Sequence, residues 1–140
     1  MSSTDTDSSR SEVLIISPGA GRRYSIGDMQ AVFKADGPET SSRYSISEWW
    51  LESGGKGPGG HSHSDDHIFY VIEGTLTLTF DDRSTDAENG TYIIIPGGVR
   101  HDFENGGSDR CGFISINVPG GFETSVQEIV RHFTEGGPAA

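Results

Sequence analysis

Four of the five histidines fall into one spacing pattern, with His61, His63 and His67 close together and His101 downstream. Imidazole is the commonest side-chain ligand for transition metals, so this clustering predicts a bound metal ion. In an extended strand successive side chains point to opposite faces, which puts His61 and His63 on one side, about 7 Å apart. Ser64-Asp65-Asp66 favours a turn, letting the chain bend and bring in His67 from the start of the next strand. His101 must arrive from a third segment. Pro96-Gly97-Gly98 supplies a tight turn after the apolar run Tyr92-Ile93-Ile94-Ile95, and Val99-Arg100-His101-Asp102-Phe103 restarts a strand. A purification tag would be contiguous and terminal, whereas this cluster lies mid-chain and is completed from far downstream.

In full, the first cluster reads Gly60-His61-Ser62-His63-Ser64-Asp65-Asp66-His67, then six residues to Gly74; the second runs Gly90, five residues, Pro96, one residue, Gly98, two residues, His101, three residues, Asn105. This pair resembles the two motifs of the cupin superfamily, H-x-H-x3-E-x6-G and G-x5-P-x-G-x2-H-x3-N. The second matches at every fixed position. The first departs at one, because His67 stands where the family usually has glutamate. Strict resemblance covers residues 60 to 105, and strand-like segments extend it to roughly 29 to 118.

The resemblance implies an all-β fold, a double-stranded β-helix or jelly-roll barrel with a short C-terminal helix. It implies one divalent transition metal per chain, held by His61, His63, His67 and His101. Four neutral imidazoles would leave the whole charge on the ion and make it a strong Lewis acid. Zinc is the expected metal, with iron, nickel and manganese open, since ligand type alone does not select among them. Asp66 is not expected to join the set, because adjacent residues of an extended chain cannot both face inward.

Cupins with this four-histidine form include polyketide cyclases and oxygenase-like proteins. The leading functional expectation is therefore Lewis-acid catalysis on a carbonyl or β-diketone substrate such as a polyketide, by a cyclase, lyase or isomerase. The alternatives are a metal-dependent dioxygenase cleaving a diketone or aromatic substrate, and a non-catalytic module that binds a small ligand.

Short β-rich runs recur between Gly, Asn, Asp and Pro clusters, the pattern of an antiparallel sandwich or barrel. Thr75 to Phe80 alternates cleanly, with Leu76, Leu78 and Phe80 on one face and Asp81-Asp82-Arg83 as the following turn. Other expected strands are Val13 to Ile16, Met29 to Ala35, Arg43 to Glu52, Ile68 to Glu73, Thr91 to Ile95, Val99 to Glu104 and Arg110 to Val118. Helical periodicity is confined to the end, where Thr124 and Gln127 suggest a capping box and Val126, Ile129, Val130 and Phe133 recur at helical spacing. That helix is expected to pack outside the sheets, with His132 on its surface.

Strand parity then proposes a pocket. Phe69 and Val71 share a face with His67, and Val99 and Phe103 share one with His101. The Arg43 to Glu52 strand offers two sets: Tyr44, Ile46, Glu48 and Trp50, or Arg43, Ser45, Ser47, Trp49 and Leu51. The first is expected inward, placing Glu48 and Tyr44 as acid/base residues and Trp50, Phe69, Val71 and Phe103 around the substrate.

At 140 residues the chain fits a single domain, expected over 13–134 between a polar tail, 1–12, and a flexible tail, 135–140. The formal charge of −11 disfavours nucleic acid and anionic membranes as partners and does not affect the small-molecule substrate that the pocket and the resemblance imply. The single cysteine, Cys111, excludes an internal disulfide and suits a reducing cytoplasm as a buried structural thiol. Outward-facing Tyr70, Ile72 and one of Trp49 and Trp50 would be apolar surface to cover, so a homodimer is expected.

Overall fold

The computed structural model describes residues 12–134, with side chains described as far as Arg131. The expected tails thus lie outside the described residues except for Glu12, as does the side chain of His132. The described strands are β1 (Arg22–Ile26), β2 (Met29–Ala35), β3 (Ser45–Leu51), β4 (Asp66–Glu73), β5 (Thr75–Phe80), β6 (Arg83–Glu88), β7 (Tyr92–Ile95), β8 (His101–Glu104) and β9 (Cys111–Val118). One helical turn, α1 (Gly37–Thr40), follows β2, and α2 (Phe122–Thr134) follows β9. The strands form two antiparallel sheets, a six-stranded one ordered β1-β2-β3-β9-β4-β7 and a three-stranded one ordered β6-β5-β8. This is the all-β jelly roll that the motifs imply.

The two sheets face each other across an aromatic core. Leu76 and Leu78 of β5 point inward as their alternation requires, towards Phe69 and Val71 of β4, Trp49 and Leu51 of β3, and Phe113 of β9. Trp49 stacks on Phe113 with ring centroids 6.4 Å apart, and Phe69 and Phe103 approach Phe113 at 4.6 and 5.1 Å. Cys111 is buried in this core, and burial pushes its thiol up to about 11, so it is protonated and inert near neutrality.

Several elements depart from expectation. Val13 to Ile16 forms no strand, and Val13 and Ile15 are each 85% exposed. Strands β1 and β6 have no counterpart in the expected set. Both lie at sheet edges, and β6, Arg-Ser-Thr-Asp-Ala-Glu, buries only Ala87. An edge strand with one inward residue has no alternation to read.

The largest departure is α2, which does not lie outside the sheets. It begins at Phe122, with Thr124 already inside it, and its N-terminus is capped from β2's end of the chain. Buried Asp36 accepts hydrogen bonds from the backbone N–H of Gly121 (2.6 Å) and of Glu123 (2.7 Å). Arg22 of β1 adds a second tie, donating to Glu39 of α1 and to Glu123 of α2. The Arg22 guanidinium holds Glu39 down at about 2. Val126 is fully buried, and the helix is drawn across the mouth of the sandwich.

Candidate metal centre

Three separate segments deliver the histidines. His61 and His101 form an isolated antiparallel bridge, with paired backbone hydrogen bonds of 2.9 and 2.8 Å. His63 follows in the same extended stretch, and its carbonyl accepts from the Gly98 N–H at 2.6 Å. Here the Pro96-Gly97-Gly98 turn grips the histidine loop. A Cβ on Gly97 would sit 2.3 Å from the Ser64 carbonyl oxygen, and Gly98 has φ +91°, so both positions require glycine. His67 enters from the start of β4.

The four rings meet at one place. His61 lies 4.4 Å from His101 and 4.7 Å from His63, and His63 lies 4.4 Å from His67, centroid to centroid. Ring nitrogens of His61, His63 and His101 lie within 4.8 Å of one another. The Nε2 atoms of His63, His67 and His101 are buried without a hydrogen-bond partner among the described residues. Unpaired polar atoms at this depth are costly, and three together fit a coordinated cation.

The outer nitrogens are engaged. His61 Nδ1 lies 2.6 Å from the Gly59 carbonyl and His101 Nδ1 lies 2.9 Å from the Val99 carbonyl. Donating Nδ1–H to a carbonyl fixes the tautomer that leaves Nε2 with its lone pair, as metal-ligating histidines generally do. Burial lowers His61 to about 4 and His67 to about 3, assisted by repulsion among the imidazoles, and lowers His63 as well. All three are neutral near pH 7, the form that ligates. The donor set fits a divalent transition metal.

A second group overlaps the first. Single donor atoms of His63, Asp65 and His67 also lie within 4.8 Å of one another. Asp66 turns away, as expected of it, and accepts from the Gly97 N–H at 2.9 Å. It is Asp65 that faces the histidines. Residues 61, 63, 65 and 67 share one parity, a signal that the turn-favouring character of Ser64-Asp65-Asp66 conceals.

The imidazoles open onto a cavity of about 480 Å³. Its walls include Ile26, Met29, Trp49, Phe69, Phe103 and Phe113, and α2 contributes Phe122, Ser125, Glu128 and Ile129. Phe122 packs edge-on against His67 and His63, at 5.0 and 5.3 Å. Phe69 and Phe103 thus stand where parity puts them, while Val71 lies in the core.

The expectation for β3 is reversed. Ser45, Ser47, Trp49 and Leu51 are the inward set. Glu48 and Trp50 line a groove on the outer face of the sheet, and Tyr44 is 39% exposed before the strand begins. None of these three stands at the histidines. The inward serines are needed by their neighbours: Trp49 Nε1 donates to Ser47 Oγ at 2.9 Å, and Ser45 Oγ donates to Asn117 Oδ1 at 3.2 Å. Trp50 lies flat over Gly112, where a Cβ would come within 2.2 Å of the indole, and under the Arg110 guanidinium at 4.4 Å. The outward face of β3 is therefore also covered, and the strand carries apolar residues on both sides.

Residues 48–117 match the model of the cupin domain, and the chain belongs to that family. It is 33% identical over 109 residues to quercetin 2,3-dioxygenase of Bacillus subtilis, a match covering 76% of this chain but only 31% of that relative. Among solved structures it superposes on the polyketide cyclase RemF from Streptomyces resistomycificus with a TM-score of 0.68 and 24% identity, covering 76% of this chain and 80% of that one. A predicted oxalate decarboxylase from Thermotoga maritima gives a TM-score of 0.70 at 14% identity, covering 76% and 99%. At these identities the structural matches establish the fold.

Proposed function

We propose that this protein is a metal-dependent enzyme acting on a small, largely apolar substrate with an enolisable carbonyl, and that oxygen-dependent cleavage is its reaction. The observation that carries the reading is the meeting of four imidazoles, three of them with a buried Nε2 that makes no hydrogen bond, beside an aromatic-walled cavity that His61, His63 and His67 help to line. His61, His63, His67 and His101 would hold the ion. A bound divalent metal supplies Lewis acidity towards a substrate oxygen and, where it is redox-active, a site for oxygen chemistry. Trp49, Phe69, Phe103 and Phe113 would clasp a planar ring system, and α2 would exclude water.

The leading expectation of non-oxidative Lewis-acid chemistry depends on a ligand set free of carboxylate, and Asp65 beside His67 weakens that premise. Similarity to a relative named for dioxygenase activity, though it spans only part of that relative, favours the oxidative alternative. Cyclisation on the same centre is a second reading. It is favoured by Glu128, which offers a proton-transferring group on the cavity wall in place of the displaced Glu48.

The test is to load the protein separately with zinc, iron, nickel and manganese, and to offer polyphenols, β-diketones and poly-β-ketones with and without oxygen. Oxygen uptake matched by cleavage products that together carry both added oxygen atoms supports the proposal. Turnover without oxygen supports cyclisation, and tight binding without turnover supports a ligand-binding module.

We further propose a cytoplasmic homodimer paired through the outer face of the six-stranded sheet. There Tyr70 and Ile72 point outward, and Tyr92 and Ile94 are 69% and 71% exposed. A monomer by light scattering at micromolar concentration would exclude the pairing. No described helix is long and apolar enough to cross a membrane.

A further inference from the structure

We infer that Asp65 is a ligand of the metal, supplying from two residues upstream the carboxylate that the first motif lacks at His67. The inference rests on the metal reading above and adds a residue to it.

Asp65 Oδ2 lies 3.2 Å from His67 Nε2, close enough to pair with a protonated ring but without hydrogen-bond geometry. With His67 neutral, two lone-pair donors stand side by side, the arrangement expected of neighbours around a third centre. Nitrogen and oxygen donors sit about 2.0–2.2 Å from a transition metal, which separates adjacent donors by about 3 Å. The observed distance is of that size.

The carboxylate is also supported from behind. Asn117 Nδ2 donates to Asp65 Oδ2 at 3.0 Å. Asn117 Oδ1 accepts from the hydroxyls of Ser45 and Ser115, each at 3.2 Å. Asn117 and Ser45 are fully buried, and Ser115 is 1% exposed. In the sheet register Ser45 pairs with Asn117 and Asn117 pairs with His67, so the polar chain crosses β3, β9 and β4 in a line and ends at the site. A polar network in a core is tolerated only when its members are satisfied, and this one fixes a single carboxylate oxygen. That oxygen has two lone pairs, one for Asn117 and one to face the ion.

The result is two overlapping groups that share His63, one completed by His61 and His101 and the other by Asp65 and His67, in which Asp65 and His67 would back each other up. The experiment is a titration of the full chain with Co²⁺, read by bound-metal stoichiometry, affinity and the visible ligand-field spectrum. Asp65→Asn keeps the size of the side chain and removes its charge. It should weaken Co²⁺ binding about 10- to 100-fold and shift the visible bands. His67→Ala should retain one Co²⁺ through Asp65, and the double variant Asp65→Asn/His67→Ala should lose stoichiometric binding.

Asp65→Asn that binds Co²⁺ with wild-type affinity and spectrum overturns the inference and leaves the metal reading intact. A wild-type protein that takes up no Co²⁺ overturns the metal reading itself. Should Asp65→Asn fail to give a native near-ultraviolet circular dichroism spectrum, Asp65→Ser serves the same comparison.

Discussion

Strand β3 separates two hollows that differ in kind. On its inner side lies the cavity of about 480 Å³ with buried imidazoles at its floor; on its outer side lies a larger groove, about 680 Å³, lined by Glu48, Trp50, Glu52, Arg23 and Arg110. The outer groove has more charge, and Arg110 there is paired: it donates to both oxygens of Glu73 and covers Trp50. In the inner cavity, His63 and His67 keep buried Nε2 atoms that make no hydrogen bond. Chemistry is marked by unsatisfied lone pairs aimed at one point, and neither size nor charge density is a guide to it.

The two hollows should differ most in metal content. His61→Ala or His101→Ala should abolish the one ion per chain, while Glu48→Ala and Trp50→Ala should leave it at wild-type level, as measured by elemental analysis. Metal retained in both histidine variants would refute the assignment. The adjacent tryptophans separate the two faces next. Trp49→Ala should cost about 3–5 kcal/mol by chemical denaturation because it empties the core. Trp50→Ala, which loses an exposed cation–π contact and partial burial, should cost about 1–2 kcal/mol.

Third, Asp36→Ala leaves the N–H groups of Gly121 and Glu123 without their acceptor, and should lower stability by about 2–3 kcal/mol while loosening α2, visible as faster hydrogen exchange over 122–131. A fourth effect is that of pH on the metal-free protein. His61 and His67 are held at about 4 and 3, below the ordinary value of 6.5, so the unfolded chain binds more protons between these limits. Stability should be fully present above about pH 6.5 and fall as pH is lowered towards 3, and His61→Gln should flatten part of that slope in a denaturation series.

Much of the fold and of the metal centre is legible in the amino-acid sequence. The two motifs specify the histidines and the barrel, and alternation in β4 and β5 assigns Phe69, Val71, Leu76 and Leu78 to the interior. Strand β3 is not legible in the same way. Both of its faces are covered, one by the core and the other by Arg110, so the choice between parities falls on residue chemistry, which points to Glu48 and Tyr44. Serine gives little sign of facing inward, although Ser45 and Ser47 are buried because Asn117 and Trp49 need hydroxyl partners. Periodicity identifies the helix but not its seat, because the residue that caps it, Asp36, lies far away in sequence.

That remote cap divides labour along the chain. The four histidines come from strands and turns within residues 61–101, whereas one wall of the cavity, through Phe122, Ser125, Glu128 and Ile129, comes from a separate helix docked by Asp36 and Arg22. Substitutions along that helix face can recut the shape of the opening without disturbing the bridge between His61 and His101. The proposed ligand set and the rim of the opening are thus inherited from different stretches of sequence, and a change of preferred molecule made at Ser125 or Ile129 would leave the four histidines in place.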